Sequence, residues 1–180
     1  MNTEFMVAET LITLHPVDPC DKDFLLKVYA STREDEMSLV DWCEEQKSTF
    51  IKMQFDAQTH HYRVHFPQAE YHIIKMEDVP IGRLILNRSG KQILIIDIAL
   101  LPKYRNKGIG TEIVKEVKND AEVCGRSVVL HVEFFNPVIN LYSRLGFVKT
   151  TEMEVYHEME WIPGKEGVDQ RKHMLKVSEA

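Results

Sequence analysis

The chain has 180 residues, 44% of them hydrophobic and 28% charged, and a formal net charge of −6. That length and apolar share fit one compact domain with a real core. The acidic balance argues against a general binder of nucleic acid or of anionic membrane, although it leaves room for a local basic pocket. Three cysteines, Cys20, Cys43 and Cys124, are odd in number and form no CxxC pair. They point away from a disulfide framework and towards a reduced, cytoplasmic setting. The first fifteen residues contain Glu4 and Glu9 and no basic run. Neither a signal peptide nor a membrane span is expected there.

Residues 10–17 alternate weakly and read as a first strand. Asp18-Pro19-Cys20-Asp21 then offers a cap, a proline and an acid, the pattern of a helix start, with Phe24, Leu25, Val28 and Tyr29 at helical spacing behind it. Ser38-Leu39-Val40-Asp41 resembles a second cap. It predicts a helix with the stripe Val40, Cys43, Phe50, Met53 and Ala57, ended near Pro67. From Tyr71 the period changes to that of strands. Residues 71–76, 81–87 and 92–101 read as three strands, the last two joined through Arg88-Ser89-Gly90-Lys91 as an antiparallel hairpin. The third of these is apolar almost throughout and so is expected at the centre of the sheet.

A helix over 108–124 follows, with Ile109, Ile113, Val117 and Ala121 on one face and Gly125 at its end. Residues 127–133 read as a strand, Asn136-Pro137 as the start of a short helix closed by Gly146, and 147–148 with 152–161 as final strands. Residues 1–162 thus form one expected domain of mixed α/β (α+β) class, with 163–180 a loosely ordered tail. His60, His61 and His65 include one i, i+4 pair but lack a third ligand, so no metal is expected.

Chemistry concentrates between Leu100 and Thr111. A buried strand ends there, Lys103, Arg105 and Lys107 follow, and Gly108 and Gly110 open a helix. Helix N-termini present unpaired N–H groups and the positive end of the dipole, and glycine permits close backbone approach, so a phosphorylated ligand is predicted. No GxxxxGK[ST] is present, which excludes a P-loop. A dinucleotide fingerprint begins at Gly108-Ile109-Gly110 and finds an acid at Glu133. Its third small residue is replaced by Ile113, and too little chain follows for a doubly wound sheet.

Arg105-Asn106-Lys107-Gly108-Ile109-Gly110 resembles the Arg/Gln-x-x-Gly-x-Gly/Ala signature of the GNAT superfamily of acyl-CoA-dependent N-acetyltransferases. A second segment, from Asn136 through Leu141-Tyr142 to Gly146-Phe147, resembles that family's Asn-x-x-Ala-x-x-Leu-Tyr-x-x-x-Gly-Phe, with Ile139 where alanine is usual. The resemblance implies a GNAT-like fold, a mixed and mostly antiparallel sheet of about seven strands with about four helices. It implies a splay between the fourth and fifth strands that takes the pantetheine arm of acetyl-CoA. Backbone groups of Ile98 and Leu100 would pair with that arm. N–H groups from Arg105, Asn106, Lys107, Gly108, Ile109 and Gly110, with Thr111, would hold the pyrophosphate, Asn136 would touch the arm, and Tyr142 would lie near the thioester sulfur.

The activity so implied is acetyl transfer to a primary amine, on a small molecule or on a protein N-terminus or lysine, by direct attack in a ternary complex. The alternative is a non-catalytic acyl-CoA-binding or regulatory module on the same fold. Tyr142 is the candidate proton donor, or else a packing aromatic. Asp97, alone in an apolar strand, is either the base or a structural acid tied to a neighbouring strand. Arg33, Glu34, Asp35 and Glu36 lie where acceptor-binding residues often sit, or form an ordinary solvated helix end. Nucleic acid and membrane are not expected partners, and the chain is expected to be a monomer or homodimer.

Overall fold

The computed structural model describes residues 3–152 and 155–165. Eight strands form one sheet in the order β1-β2-β3-β4-β5-β6-β8-β7. They are β1 (Glu4–Val7), β2 (Thr10–Pro16), β3 (Glu70–Met76), β4 (Val79–Asn87), β5 (Gln92–Leu100), β6 (Ser127–Glu133), β7 (Val148–Glu152) and β8 (Tyr156–Trp161). The helices are α1 (Lys22–Ser31), α2 (Glu34–Ser38), α3 (Glu44–His65), α4 (Ile109–Val123) and α5 (Ile139–Arg144). Neighbouring strands run antiparallel except β5 and β6, which are parallel and joined through α4. The mixed, mostly antiparallel sheet is as expected. Most of the predicted tail, residues 166–180, lies outside the described residues.

The extra strand is β1. Its hairpin with β2 turns through Ala8 and Glu9, both with positive φ, as Glu77 and Asp78 do between β3 and β4. Two left-handed residues match the twist of the flanking strands. Ala-Glu carries no turn signal, which is why the sequence conceals this hairpin.

A second difference concerns α3. Residues 40–43 are not helical, and the helix starts where Gln46 Oε1 accepts from the Cys43 N–H at 3.0 Å. The predicted stripe is displaced: Met53, Ala57 and Cys43 are exposed, while Ile51 and Phe55 are buried against Tyr29 of α1. A helix this polar has no dominant apolar stripe, so its register is set by packing against α1.

The pleat assigns the two faces of the sheet. Leu84 and Leu86 of β4 join the main core with Ile113, Val114, Val117 and Ala121 of α4, so the predicted apolar face of that helix is the one it buries. Arg83 precedes Leu84, points to the opposite face in alternation, and reaches Gln58 on α3. Gly82 lies where β4 meets the end of β5, and a Cβ there would stand 2.3 Å from the Ala99 carbonyl oxygen. Gly82→Ala therefore forces the two strands apart. We expect a loss of about 1–3 kcal/mol in urea unfolding, visible as a lower midpoint.

Candidate active site

The pairing of β5 with β6 stops early. It joins Gln92–Ile95 to Ser127–Leu130, whereas β5 continues to Leu100 and β6 to Glu133. At the point of parting, β5 carries a bulge: Asp97 pairs with Ile85 and Ile95 with Leu86, leaving Ile96 as the extra residue. Bulges bend a strand and re-aim its side chains. The Leu101 N–H donates to Ile81 O on β4 at 2.9 Å. Backbone polar groups alternate in direction along a strand, so those of Ile98 and Leu100 point the other way, into the gap.

At the end of that gap lies the glycine loop. Asn106 and Gly108 are left-handed, with φ of 58° and 82°, and α4 starts after Gly108 without a side-chain cap. Among the described residues no acceptor meets the N–H groups of residues 106–111. A cluster of bare N–H groups at a helix N-terminus is an anion cradle. Gly108 and Gly110 have no heavy atom within 4 Å of where a Cβ would stand, so open space lies in front of both.

Arg105 departs from the expected phosphate role. Its N–H donates to Pro102 O at 3.1 Å, and its Nε donates to Leu100 O at 2.8 Å. Its Nη2 donates to Ser31 O at 2.9 Å and to Ser31 Oγ at 3.1 Å. The side chain thus ties the loop to the last turn of α1 and to the end of β5. Lys103 and Lys107 sit over the ring of buried Tyr104, their Nζ atoms 4.7 and 5.8 Å from its centroid. Positive charge stays beside the loop by this packing.

Asp97 faces the α3 side of the sheet and is 18% exposed. Its Oδ2 is buried and lies 2.5 Å from Arg83 Nη2 in an ion pair that lacks hydrogen-bond alignment. Burial pushes this carboxyl upward, and Arg83 opposes the effect, with a further contribution from Arg33. Arg83 Nη2 also donates to Gln58 Oε1 at 2.9 Å. Tyr142 is buried on α5, packed edge-on to Phe147 at 5.7 Å. Burial, and next the negative Asp97, push its hydroxyl up to about 12. The same two causes push Tyr62 up to about 12.

The Asp97 charge acts on the Tyr142 hydroxyl electrostatically, and Ile98 and Leu100 follow Asp97 along β5. Asn136 lies at the exposed end of β6, its Oδ1 accepting from the Val138 N–H at 3.0 Å. Arg33 and Glu36 pair at 2.7 Å and line a hollow of about 200 Å³ with Tyr29, Met37, Phe50 and Gln54. Glu34 is exposed on α2. Sequence reasoning missed Arg83, Gln58 and Tyr62. A lone arginine in the apolar strand 81–87, diagonal to Asp97 once the hairpin is registered, was the available signal.

The model of the GNAT acetyltransferase family matches residues 33–147. The chain belongs to this family. Thialysine N-epsilon-acetyltransferase of Mus musculus is 34% identical over 68 residues, 37% of this chain and 40% of that protein. An N-alpha-acetyltransferase of Sulfurisphaera tokodaii is 29% identical over 126 residues, 66% of this chain and 67% of that one. The chain thus spans about 40% of the length of the curated thialysine relatives. Among solved structures, PaiA N-acetyltransferase from Thermoplasma acidophilum in complex with coenzyme A superposes with a TM-score of 0.65 at 18% identity, covering 84% of this chain and 98% of that one. The mixed α/β GNAT fold is the one the sequence resembled.

GNAT acetyltransferases use acetyl-CoA, and acetyl-CoA is the cofactor. The residues fit it, with bare N–H groups over 106–111, open space before both glycines, and gap-facing strand groups at Ile98 and at the Leu100 N–H. Among the described residues no helix is long and apolar enough to cross a membrane, and no group of three His, Cys, Asp or Glu side chains could hold a metal.

Gly110 separates folding from binding, because nothing in the fold fills the space before it. Gly110→Val should shift stability by no more than about 0.5 kcal/mol. It should weaken CoA by roughly tenfold or more, equivalent to about 1.4 kcal/mol. Thermal melts with and without CoA check both.

Proposed function

We propose that the chain transfers acetyl from acetyl-CoA to a primary amine, by direct attack within a ternary complex. The observation that carries this reading is the parting of β5 from β6 after Ile95–Leu130, with Asp97 just beyond it on β5 and its charge acting on Tyr142. The cofactor, when bound, supplies an activated acetyl thioester. N–H groups of residues 106–111 hold its pyrophosphate, and the gap-facing groups of Ile98 and Leu100 hold its arm. Asn136 adds a side-chain amide at the mouth.

The Asp97 carboxylate accepts a proton from the incoming ammonium, which restores the neutral amine needed for attack. Arg83 at 2.5 Å supports the carboxylate form that this role requires. Tyr142, with its hydroxyl raised to about 12, keeps its proton through the neutral range. It is a donor to the leaving thiolate and not a base. Arg33, Glu34 and Glu36 edge the acceptor side, and the Arg33–Glu36 pair sets its shape.

The relatives' names support an amine acceptor, one an ε-amine and the other an α-amine. They leave open a small molecule, a protein N-terminus or a lysine. A reducing, cytoplasmic setting belongs to the same reading, since Cys20, Cys43 and Cys124 are all free and exposed.

An acceptor screen over polyamines, aminoglycosides, amino acids and peptides, read by release of free thiol, tests the proposal. Turnover with at least one amine is expected. CoA binding without turnover would favour the non-catalytic module. Tyr142→Phe should lower kcat by roughly 10²–10⁴-fold with CoA affinity unchanged.

The pH profile tests Asp97. Its carboxyl sits above its ordinary value and must be deprotonated to act, so activity rises with pH through that raised pKa. Arg83→Gln removes the cation that favours the carboxylate. The acid limb should then move to higher pH by at least about one unit. A limb that stays in place removes Asp97 as the base.

A further inference from the structure

On α3, Ile51, Phe55 and Gln58 follow at i, i+4 and i+7, which puts them on one face of the helix. Ile51 and Phe55 pack with Tyr29 of α1, and this packing lays Gln58 over β4. The Gln58 Oε1 accepts from Arg83 Nη2 at 2.9 Å. Arginine only donates, so the amide turns its oxygen and not its nitrogen towards it.

That one nitrogen has two acceptors within reach. Asp97 Oδ2 is the nearer, at 2.5 Å, and it belongs to the charged group. A carboxylate ordinarily takes a hydrogen bond in preference to a neutral amide. Here the bond goes to Gln58, and Oδ2 is left without an aligned donor. The strand register supplies the reason. Asp97 pairs with Ile85 and Arg83 with Ala99, so the two side chains meet on the diagonal. The two N–H groups of Nη2 are fixed in the guanidinium plane, and with one aimed at Gln58 the other misses Oδ2.

Arg83 has little else to bond. Its side chain is only 6% exposed, and the Tyr29 ring lies 5.7 Å from the guanidinium carbon. Its Nε already lacks a partner, so loss of Gln58 would strand a second buried donor. The guanidinium would then turn to the acceptor that remains, which is Asp97. An aligned, charge-assisted bond would hold that carboxylate against protonation.

We propose that Gln58 is a positioning residue for the transfer: by holding Arg83 Nη2 it withholds a hydrogen bond from Asp97 and keeps that carboxylate ready to take a proton. The inference rests on the reading of Asp97 as the base. Burial raises the Asp97 carboxyl, and the charges of Arg83 on β4 and of Arg33 beyond α1 oppose it. Two hydroxyls also feel its charge, Tyr62 on α3 and Tyr142 on α5. Replacing Gln58 leaves all of these groups in the chain.

The test follows the Asp97 carboxyl by carbon NMR in the full chain without cofactor or acceptor, its signal assigned by its absence in Asp97→Asn. Gln58→Met and Gln58→Leu each remove the acceptor oxygen. In either one that is folded by its urea midpoint, the Asp97 pKa should fall by about one unit or more. Gln58→Glu keeps an oxygen for Nη2 and adds negative charge, so there it should not fall. A pKa unchanged or raised in the oxygen-free variants, or lowered in Gln58→Glu, would overturn the role. A part that was merely structural, holding Arg83 in place, gives the opposite sign. The rate profile tests the base separately: with Asp97 as base, the acid limb of kcat/KM in Gln58→Met moves to lower pH with the NMR value. A limb that ignores a lowered Asp97 pKa upholds the competition for Arg83 and removes Asp97 as the base.

Discussion

Only four residue pairs join β5 to β6, from Gln92–Ser127 to Ile95–Leu130, and the rest of the molecule is arranged around where that ladder stops. A strand in mid-sheet normally satisfies its backbone on both sides. Beyond Ile95 this one does so only towards β4, because the bulge at Ile96 bends it away from β6. Of the groups left facing the gap, the Leu100 carbonyl is met by Arg105 Nε, and the cost of the others is met by a ligand or by water. Arg105 fixes the geometry from outside, through its bonds to Leu100 O and to Ser31. Its guanidinium is a strut between loop, strand and helix, which leaves the anion to the N–H groups that follow it.

The charge distribution follows the same plan. A chain of net charge −6 accommodates a strongly anionic cofactor because the field that matters is local. Bare amides, the α4 dipole and two lysines gathered on Tyr104 face one end of the gap. Further along β5 the Asp97 carboxylate is held against Arg83, and burial, with that charge as the second cause, keeps the hydroxyls of Tyr62 and Tyr142 protonated.

Much of this was legible in the residues. The apolar run 93–101, the four-residue spacing on α4 and the two glycine-bearing motifs placed the central strand, the helix and the loop, because each pattern has one low-energy solution. What stayed hidden had weak local signals. Ala8-Glu9 turns a hairpin without a turn residue, and α3 is too polar to declare its buried face. The fate of the Arg105 side chain depends on Ser31, a contact across distant sequence. In the sequence Asp97 reads either as a base or as a structural acid tied to a neighbouring strand. The structure supplies the tie, to Arg83 on β4, and keeps the side chain 18% exposed.

Hydrogen exchange of the backbone amides, with and without CoA, tests most directly whether the parted strands and the loop form one cofactor slot. The account predicts slowed exchange on CoA binding at Ile98, Leu100 and residues 106–111, with the β1–β2 hairpin unchanged. Unaltered exchange at those amides under saturating CoA, or protection confined to other elements, would contradict it.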